Sequence, residues 1–263
     1  MKRVSIALGL GLLVTAAVVR LSALRGPSRD ALLGLWIENE ARAPADPLHL
    51  YYFHQDGQGL YRYGQLAYNQ THSFDWHLDG DRLALRFRKT GERAVTRVIV
   101  GEENGRRTLR LEQDPRSPKP TRYRYVPANL DTTGPLSLGT VSDRLGSAPP
   151  QGQLAGRMWI DHKKFATGGM GFSLYQLSAH PSQPGWRIGW HHRGDFDDWS
   201  TERLDYRFDE RVLRLRYTLR NEDQATPFRV DQDAGARRPR LTLEHDPRNF
   251  QAPGVFLDAG ASF

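Results

Sequence analysis

The chain has 263 residues, of which 38% are hydrophobic, 25 are glycine and none is cysteine. This composition is typical of a globular protein with one large or two small domains, and it argues against bulk disorder, a collagen and a multispan membrane protein. Without cysteine there are no disulfides, thiolate nucleophiles or Cys-based zinc sites. More than half of the net charge of +7 lies in residues 1–30, and no run of five or six like charges occurs elsewhere, so we expect no nucleic-acid binding.

Residues 1–30 have the features of an export signal. Lys2 and Arg3 precede an uncharged stretch, Val4 to Val19, which ends at Arg20. As a helix this stretch is about 24 Å long, a little short of a hydrocarbon core of about 30 Å unless the apolar residues after Arg20 are included. An uncleaved signal anchor and a cleaved signal peptide both stay open. We expect the anchor, hence a single-pass protein of the bacterial inner membrane that contacts lipid through its N-terminal helix and has its C-terminal part in the periplasm; cleavage would instead give a periplasmic or secreted protein.

The chain contains two similar halves. Matched segments follow the same order in both, and the spacing between partners grows steadily along the chain, as a duplication with short loop insertions predicts. The matched pairs are Trp36-Ile37-Glu38 with Trp159-Ile160-Asp161, Phe74–Asp79 with Leu204–Asp209, Leu83–Phe87 with Leu213–Tyr217, and Leu111–Arg116 with Leu243–Arg248. We therefore predict two homologous domains, 31–127 and 155–263, joined by a Pro-, Gly- and Ser-rich linker at 128–154.

Alternation of apolar and polar residues predicts strands in both halves. Leu83, Leu85 and Phe87 share one face of a strand, with arginines and an alanine on the other. Turn signals such as Asp56-Gly57 and Asn104-Gly105 separate these runs at short intervals. About eight short strands per half fit an up-and-down barrel or a small sandwich, and closure into a barrel removes the exposed edges. The predicted fold class is all-β, with two tandem antiparallel barrels after one N-terminal hydrophobic helix.

Two motifs resemble those of bacterial lipocalin-like β-barrel domains. Gly34-Leu35-Trp36 is similar to the Gly-x-Trp start of that family, whose tryptophan plugs the closed end of the barrel, and the segment Phe74 to Leu85 is similar to a later Phe-x-Trp pattern. The second half departs from the family, because Gly156-Arg157-Met158-Trp159 has one extra residue and Tyr206 replaces the internal tryptophan. The resemblance implies a barrel with one plugged end in each half.

Both halves also carry the tripeptide Asp-Pro-Arg after a strand. We expect the proline to end the strand and the aspartate to support the turn. The resemblance implies a further role, since lipocalins carry a late arginine over the plug tryptophan; Arg116 and Arg248 are counterparts, or Arg124 in the first half alone. The expected structural signature is therefore Gly34, Trp36, Gly156, Trp159, Arg116 and Arg248.

An eight-stranded barrel either fills its interior with side chains or encloses one small ligand. The residues expected to line the interior and contact a ligand are aromatic: Tyr52, Tyr61, Tyr63, Trp76, Trp186, Trp190 and Tyr206. Rings of this kind suit an apolar or amphiphilic ligand. We therefore expect a membrane-tethered, exported binding protein. The alternative is an envelope protein-interaction module, such as an inhibitor, an immunity-type protein or an assembly factor.

No catalytic motif stands out. The phosphate-binding loop, the nucleophile elbow and the His-Glu-x-x-His motif are absent from the sequence, and we expect a protein that is not an enzyme and binds neither cofactor nor metal. A hydrolase would have to use His191 and His192 with Asp195 and Asp197, which form the one cluster of suitable residues. Adjacent residues of a strand point to opposite faces, so the two histidines are not expected to share one site.

Overall fold

The computed structural model describes residues 26–39, 41–117, 119–126, 154–164, 170–233 and 238–261. The predicted hydrophobic helix, within residues 1–25, and most of the predicted linker lie outside the described residues. The described part contains one short helix, α1 (Arg29–Leu32), and it includes no helix that is long and apolar enough to span a bilayer. All its other regular elements are strands, so the prediction of an all-β fold is confirmed.

The first eight strands form a closed antiparallel barrel. Each strand pairs with the next along the chain, and the last returns to pair with the first, with Tyr125 opposite Trp36. The ring leaves no free edge where its strands overlap. The strands are β1 (Gly34–Ile37), β2 (Pro47–Phe53), β3 (Gln58–Gln65), β4 (Tyr68–Asp79), β5 (Arg82–Phe87), β6 (Arg93–Glu103), β7 (Arg106–Leu111) and β8 (Thr121–Val126).

Eight further strands repeat this order. Sequential pairing runs through all of them, β11 pairs with β12, and β16 returns to β9 with Leu257 opposite Ile160. The strands are β9 (Arg157–Lys164), β10 (Met170–Gln183), β11 (Trp186–Asp195), β12 (Asp198–Asp209), β13 (Val212–Tyr217), β14 (Glu222–Asp233), β15 (Arg238–Leu243) and β16 (Gly254–Ala261).

Side chains fill the interior of each ring. Leu83, Leu85 and Phe87 are buried inside the first barrel, on the face of β5 that alternation predicts. Close-packed aromatic side chains occupy space inside each barrel that a wider barrel would leave for a ligand. The largest of them are Trp36, Tyr51, Phe53, Tyr61, Phe74, Phe87 and Tyr123 in the first barrel, and Trp159, Tyr175, Tyr206, Tyr217 and Phe256 in the second.

A tryptophan plugs one end of each barrel. Trp36 and Trp159 both have 0% of their surface exposed. The Trp36 indole donates a hydrogen bond of 2.7 Å to the carbonyl of Leu32, the last residue of α1, and the Trp159 indole donates one of 3.4 Å to the carbonyl of Leu154. The carbonyl lies four residues before the tryptophan in the first barrel and five in the second, which accommodates the extra residue of the second motif.

Arg107 stacks on Trp36, whereas the expected Arg116 and Arg248 lie over Phe87 and Tyr217, so those two predictions were wrong. The alternative, Arg124, stays a prediction. The Arg107 guanidinium lies 5.4 Å from the Trp36 ring and 4.3 Å from the Tyr125 ring, and it donates to the carbonyl of Ala31. Alternation along β7 brings Arg107 to this place, because it shares the inward face with Leu109 and Leu111. Pro239 occupies the matched position of β15, so the second barrel has no cation there.

The two barrels are joined by strand pairing between β4 and β12. Both strands have twelve residues, twice the length of β5 and β13, so their first halves extend beyond those partners. These halves pair with each other from Tyr68 opposite Glu202 to His72 opposite Asp198. The contact therefore covers two strand edges that would otherwise be exposed.

Apolar side chains reinforce this junction. Leu60, on the outer face of the first barrel, packs against a cluster on the outer face of the second. Although these side chains point away from the barrel interiors, three of them are buried, because the neighbouring barrel covers them. The second-barrel members are Ile160, Phe172, Leu174 and Trp199.

Candidate functional site

A pocket opens at the end of the first barrel opposite α1. We call it the mouth pocket; its volume is about 520 Å³. Residues of β2, β3 and β4 form its wall, and the loop between β7 and β8 forms its rim. The lining residues are His49, Tyr61, Tyr63, His72, Pro115, Arg116 and Ser117.

Stacked rings form one wall of the mouth pocket. Tyr61 and Tyr63 are two residues apart on β3 and share the inward face, with ring centroids 5.4 Å apart and planes at 16°. His72 of β4 lies in register opposite Tyr61 and stacks on Tyr63 at 5.5 Å and 11°. The three near-parallel rings form a layered aromatic wall whose polar atoms are the tyrosine hydroxyls and the imidazole nitrogens of His72.

Carboxylates orient both histidines of the pocket. His49 Nδ1 lies 3.0 Å from Glu38 Oε2, and its Nε2 lies 3.4 Å from the Tyr61 hydroxyl. His72 Nδ1 lies 3.4 Å from Asp198 Oδ1, a residue of the second barrel. Burial lowers the pKa of His72, and Asp198 only partly opposes this effect. At neutral pH the His72 imidazole is therefore uncharged and can both donate and accept a hydrogen bond.

Asp114 fixes the rim of the pocket. This buried carboxylate accepts hydrogen bonds from the hydroxyls of Tyr51, at 3.0 Å, and Tyr123, and from the backbone N–H of Arg116 at 2.9 Å. Burial, and next the negative charge of Asp114, raise the pKa of the Tyr51 hydroxyl, so it stays a donor. The Asp-Pro-Arg segment is thus bonded to the barrel interior in addition to forming a turn.

Arg116 extends from this rim over the aromatic interior. Its guanidinium lies 3.7 Å from the Phe87 ring centroid and 3.0 Å from Glu92 Oε2. Its Nε is buried and has no hydrogen-bond partner among the described residues. A buried N–H without an acceptor is unfavourable.

The second barrel has the same brace. Asp246 accepts hydrogen bonds from the Tyr175 hydroxyl at 2.7 Å and from the Arg248 backbone N–H at 3.0 Å. The Arg248 guanidinium lies 3.6 Å from the Tyr217 ring centroid and 2.8 Å from Glu202 Oε2. The two Asp-Pro-Arg segments therefore have matching contacts.

The lining of the second mouth is different. Strand register places Ser173, His191 and Glu202 where the first barrel has His49, Tyr61 and His72. Ser173 Oγ lies 2.9 Å from His191 Nε2, and all three replacements are buried. The carboxylate of Glu202, which pairs with Arg248, therefore occupies the position that the His72 ring has in the first barrel.

Only some of the predicted interior aromatics come together. Tyr61 and Tyr63 meet in the mouth pocket, whereas Trp76 packs near the α1 end, where its indole donates to the carbonyls of His54 and Gln58. Tyr206 is inside the second barrel, with its hydroxyl donating to the Ser178 carbonyl at 2.6 Å. Among the described contacts, none joins Trp76 or Tyr206 to the mouth pocket. Four lining residues of the pocket were not predicted from the sequence: His49, His72, Pro115 and Ser117.

Three predicted interior positions were wrong. Tyr52 lies on the outer face of the first barrel with Leu35 and Leu50, because Tyr51 and Phe53 take the inward positions of β2. Trp186 and Trp190 lie on the outer face of the second barrel, opposite in phase to the inward His191. Arg207 and Arg216 stack on the Trp186 ring at 4.9 and 4.5 Å.

His191 and His192 point to opposite faces, as predicted. His191 stacks on Tyr175 inside the second barrel, with ring centroids 4.7 Å apart. His192 lies between the barrels, where its Nδ1 is 2.9 Å from the Thr201 hydroxyl and its Nε2 is buried without a partner among the described residues. In the described ranges no group of three or more His, Asp or Glu side chains is arranged to hold a metal ion.

His192 is expected to make stability depend on pH. Burial, followed by the nearby positive charge of Arg62, lowers its pKa well below that of the unfolded chain, about 6.5. The unfolded state then binds more protons below about pH 6.5, so the free energy of unfolding decreases as the pH is lowered through that range, by up to about 1.4 kcal/mol per pH unit from this group. Above that range this group makes no pH-dependent contribution. Urea unfolding of wild type and His192→Gln from pH 5 to 8 measures the difference, with the exposed His77→Gln as control; equal pH slopes in wild type and His192→Gln would contradict this expectation.

Comparison with known proteins adds no assignment to this geometry. No family model, no curated protein and no solved structure matches the chain. A function for the mouth pocket therefore has to be argued from its own contacts.

Proposed function

We propose that this protein is a non-enzymatic binding protein that holds a small amphiphilic ligand in the mouth pocket of the first barrel. The observation that carries the proposal is the pocket itself. Its volume of about 520 Å³ lies within the range of about 300–1,000 Å³ usual for small-molecule sites, and both aromatic rings and convergent polar groups line it.

The arrangement of these groups favours an amphiphile. An apolar portion fits against the rings of Tyr63 and His72, which are only partly buried, and contact with these rings replaces contact with water. A polar head with an acceptor atom fits at the rim, which is lined by Arg116 and Ser117. The second mouth is less suited, since Glu202 and Arg248 pair across it.

The two barrels are products of a duplication of one lipocalin-like unit. The shared tryptophan plug and the shared Asp-Pro-Arg brace support this origin. The junction adds independent support, because its register is centred on Gln70 opposite Ser200, which occupy matched positions of β4 and β12. In a two-fold dimer, each copy contributes the same surface to the interface. The junction between β4 and β12 has this arrangement, so it derives from the interface of a dimer that existed before the duplication.

The protein is exported and stays tethered to the bacterial inner membrane by its N-terminal helix. The support is the sequence of residues 1–30, a short basic segment followed by an uncharged apolar stretch. Tethering would keep the mouth pocket near a membrane, a source of amphiphiles. If the signal is cleaved, the same binding protein is periplasmic or secreted.

Mass spectrometry of small molecules released from the full-length protein, purified from its own membranes in polymer discs, tests the binding function. We expect a compound that is at least tenfold depleted in Tyr63→Ala, which loses the central stacking ring. Annular lipids are common to all samples and cancel in the comparison. Trp186→Ala removes an aromatic side chain from the outside of the second barrel and is the matched control. Identical profiles for wild type and Tyr63→Ala would contradict the proposal.

A further inference from the structure

Phe250 is the most exposed large apolar side chain of the described part, with 93% of its surface accessible. It lies in the loop between β15 and β16, at the mouth of the second barrel. Single apolar side chains on a surface are common and need no function to explain them. The conformation and bracing of this loop make Phe250 different.

The backbone at this tip is in the left-handed region. Phe250 has φ of 53° and Gln251 has φ of 63°. Bulky side chains rarely adopt such angles, and the strain persists only where the surroundings enforce it. Glycine or asparagine would fit here at lower cost. The chain therefore has a large exposed ring at a position where local energetics favour a small residue.

Hydrogen bonds hold the loop in this shape. The Asp246 carbonyl accepts from the backbone N–H groups of Asn249 and Gln251, and the Asp246 N–H donates to Ala252. Asp246 is itself bonded to Tyr175 in the barrel interior. The backbone of the loop is thus fixed to the barrel before any partner arrives, which lowers the entropy cost of binding.

A positively charged side chain that contacts the Phe250 loop, Arg193, has no ion-pair partner in the described part of the chain. Arg193 is exposed, and its guanidinium donates to the Arg248 carbonyl of the same loop at 3.3 Å. Among the described residues it has no carboxylate within salt-bridge distance, whereas exposed arginines such as Arg86, Arg97 and Arg214 each have one. An exposed ring and an unpaired guanidinium that is bonded to the same loop, two residues from the ring, are complementary to an apolar pocket with a carboxylate near its edge.

We propose that the Phe250 loop is a docking site for a separate protein that receives the phenyl ring in an apolar pocket and pairs an Asp or Glu with Arg193. Aromatic anchors with a charged neighbour are typical of the few residues that dominate protein interfaces. A membrane surface is disfavoured, because the ring is flanked by polar Asn249 and Gln251.

The test starts with the full-length protein in its native cells. A photoreactive phenylalanine analogue at position 250 should give one discrete protein adduct that the same analogue at Ile99, an exposed residue of the first barrel, does not give. The adduct is identified by mass spectrometry, and the protein so identified is purified for binding measurements.

Binding to that protein then separates docking from chance proximity. We expect Phe250→Ala to raise the dissociation constant at least about 30-fold. Phe250→Tyr should bring the dissociation constant back to within a few-fold of the wild-type value. Arg193→Glu should raise it about tenfold and reduce the dependence of binding on salt. Ile99→Ala should be within about twofold of wild type. Because Phe250 is exposed, its truncation should leave the thermal midpoint unchanged.

Unchanged binding by Phe250→Ala would overturn the proposal. So would adducts at position 250 with lipid alone, or a Phe250-dependent sedimentation with anionic vesicles, which would assign the loop to a membrane. An adduct between two copies of this chain, with a dimer that Phe250→Ala dissociates, would also overturn it. The mouth pocket of the first barrel is unaffected by any of these results, because none of its lining residues belongs to this loop.

Discussion

Replacing Trp36 by alanine is expected to lower the free energy of unfolding by about 3–5 kcal/mol, the usual cost of truncating a buried large aromatic side chain. Trp36 is fully buried, and its ring contacts Tyr125 edge-on at 5.3 Å and lies under Arg107. Its indole also satisfies the last carbonyl of α1. The substitution therefore leaves a cavity, an unpartnered carbonyl and a guanidinium without its ring.

Urea denaturation followed by circular dichroism measures this loss, and Trp159→Ala should give a loss of similar size. Trp186→Ala is the matched control, because Trp186 lies on the outer face and should cost less than about 1 kcal/mol. A loss below about 1 kcal/mol for Trp36→Ala would show that the tryptophan does not plug the barrel.

Replacing Asp114 by alanine is expected to cost about 3–5 kcal/mol. The change removes the acceptor of three hydrogen bonds and leaves the hydroxyls of Tyr51 and Tyr123 buried without a partner, at about 1–3 kcal/mol each. Asp114→Asn keeps an acceptor oxygen and should cost less. The loop that carries Arg116 would also lose its attachment to the barrel, so ligand retention should fall together with stability.

Equilibrium unfolding of Asp114→Ala and Asp246→Ala tests this brace in both barrels. Asp75→Ala is the control, since Asp75 forms a surface pair with Arg86 at 2.6 Å and such pairs contribute about 0–1 kcal/mol. Losses for Asp114→Ala no larger than for Asp75→Ala would mean that the segment is only a turn.

Much of the fold could be predicted because it is encoded locally. Alternation along β5 and β13, and the turn signals between strands, gave two sets of strands of the right length. Arg107 could have been found in the same way, since it stands two residues before the inward Leu109. The covering arginine was instead expected after the last matched segment, which lies at the opposite end of the barrel.

The candidate site could not be predicted from periodicity. His49 and His72 come together with Tyr61 only through the register of β2, β3 and β4, and register is a property of strand pairs. Tyr52 was misplaced because Tyr51, Tyr52 and Phe53 are all aromatic, so alternation does not reveal which of them points inwards. The junction of β4 with β12 was missed for the same reason, since no pattern within one strand specifies a partner in the other barrel.

Photolabelling is the most direct test of the ligand site in the first barrel. A photoreactive analogue of the compound recovered from the protein is activated in membranes that contain the full-length chain, and the labelled peptides are mapped by mass spectrometry. We predict labels on residues 49–72 and 115–117, competed by the unmodified compound and lost in Tyr63→Ala. Labels confined to the second barrel, or labelling that the unmodified compound does not compete, would contradict a ligand site in the mouth pocket.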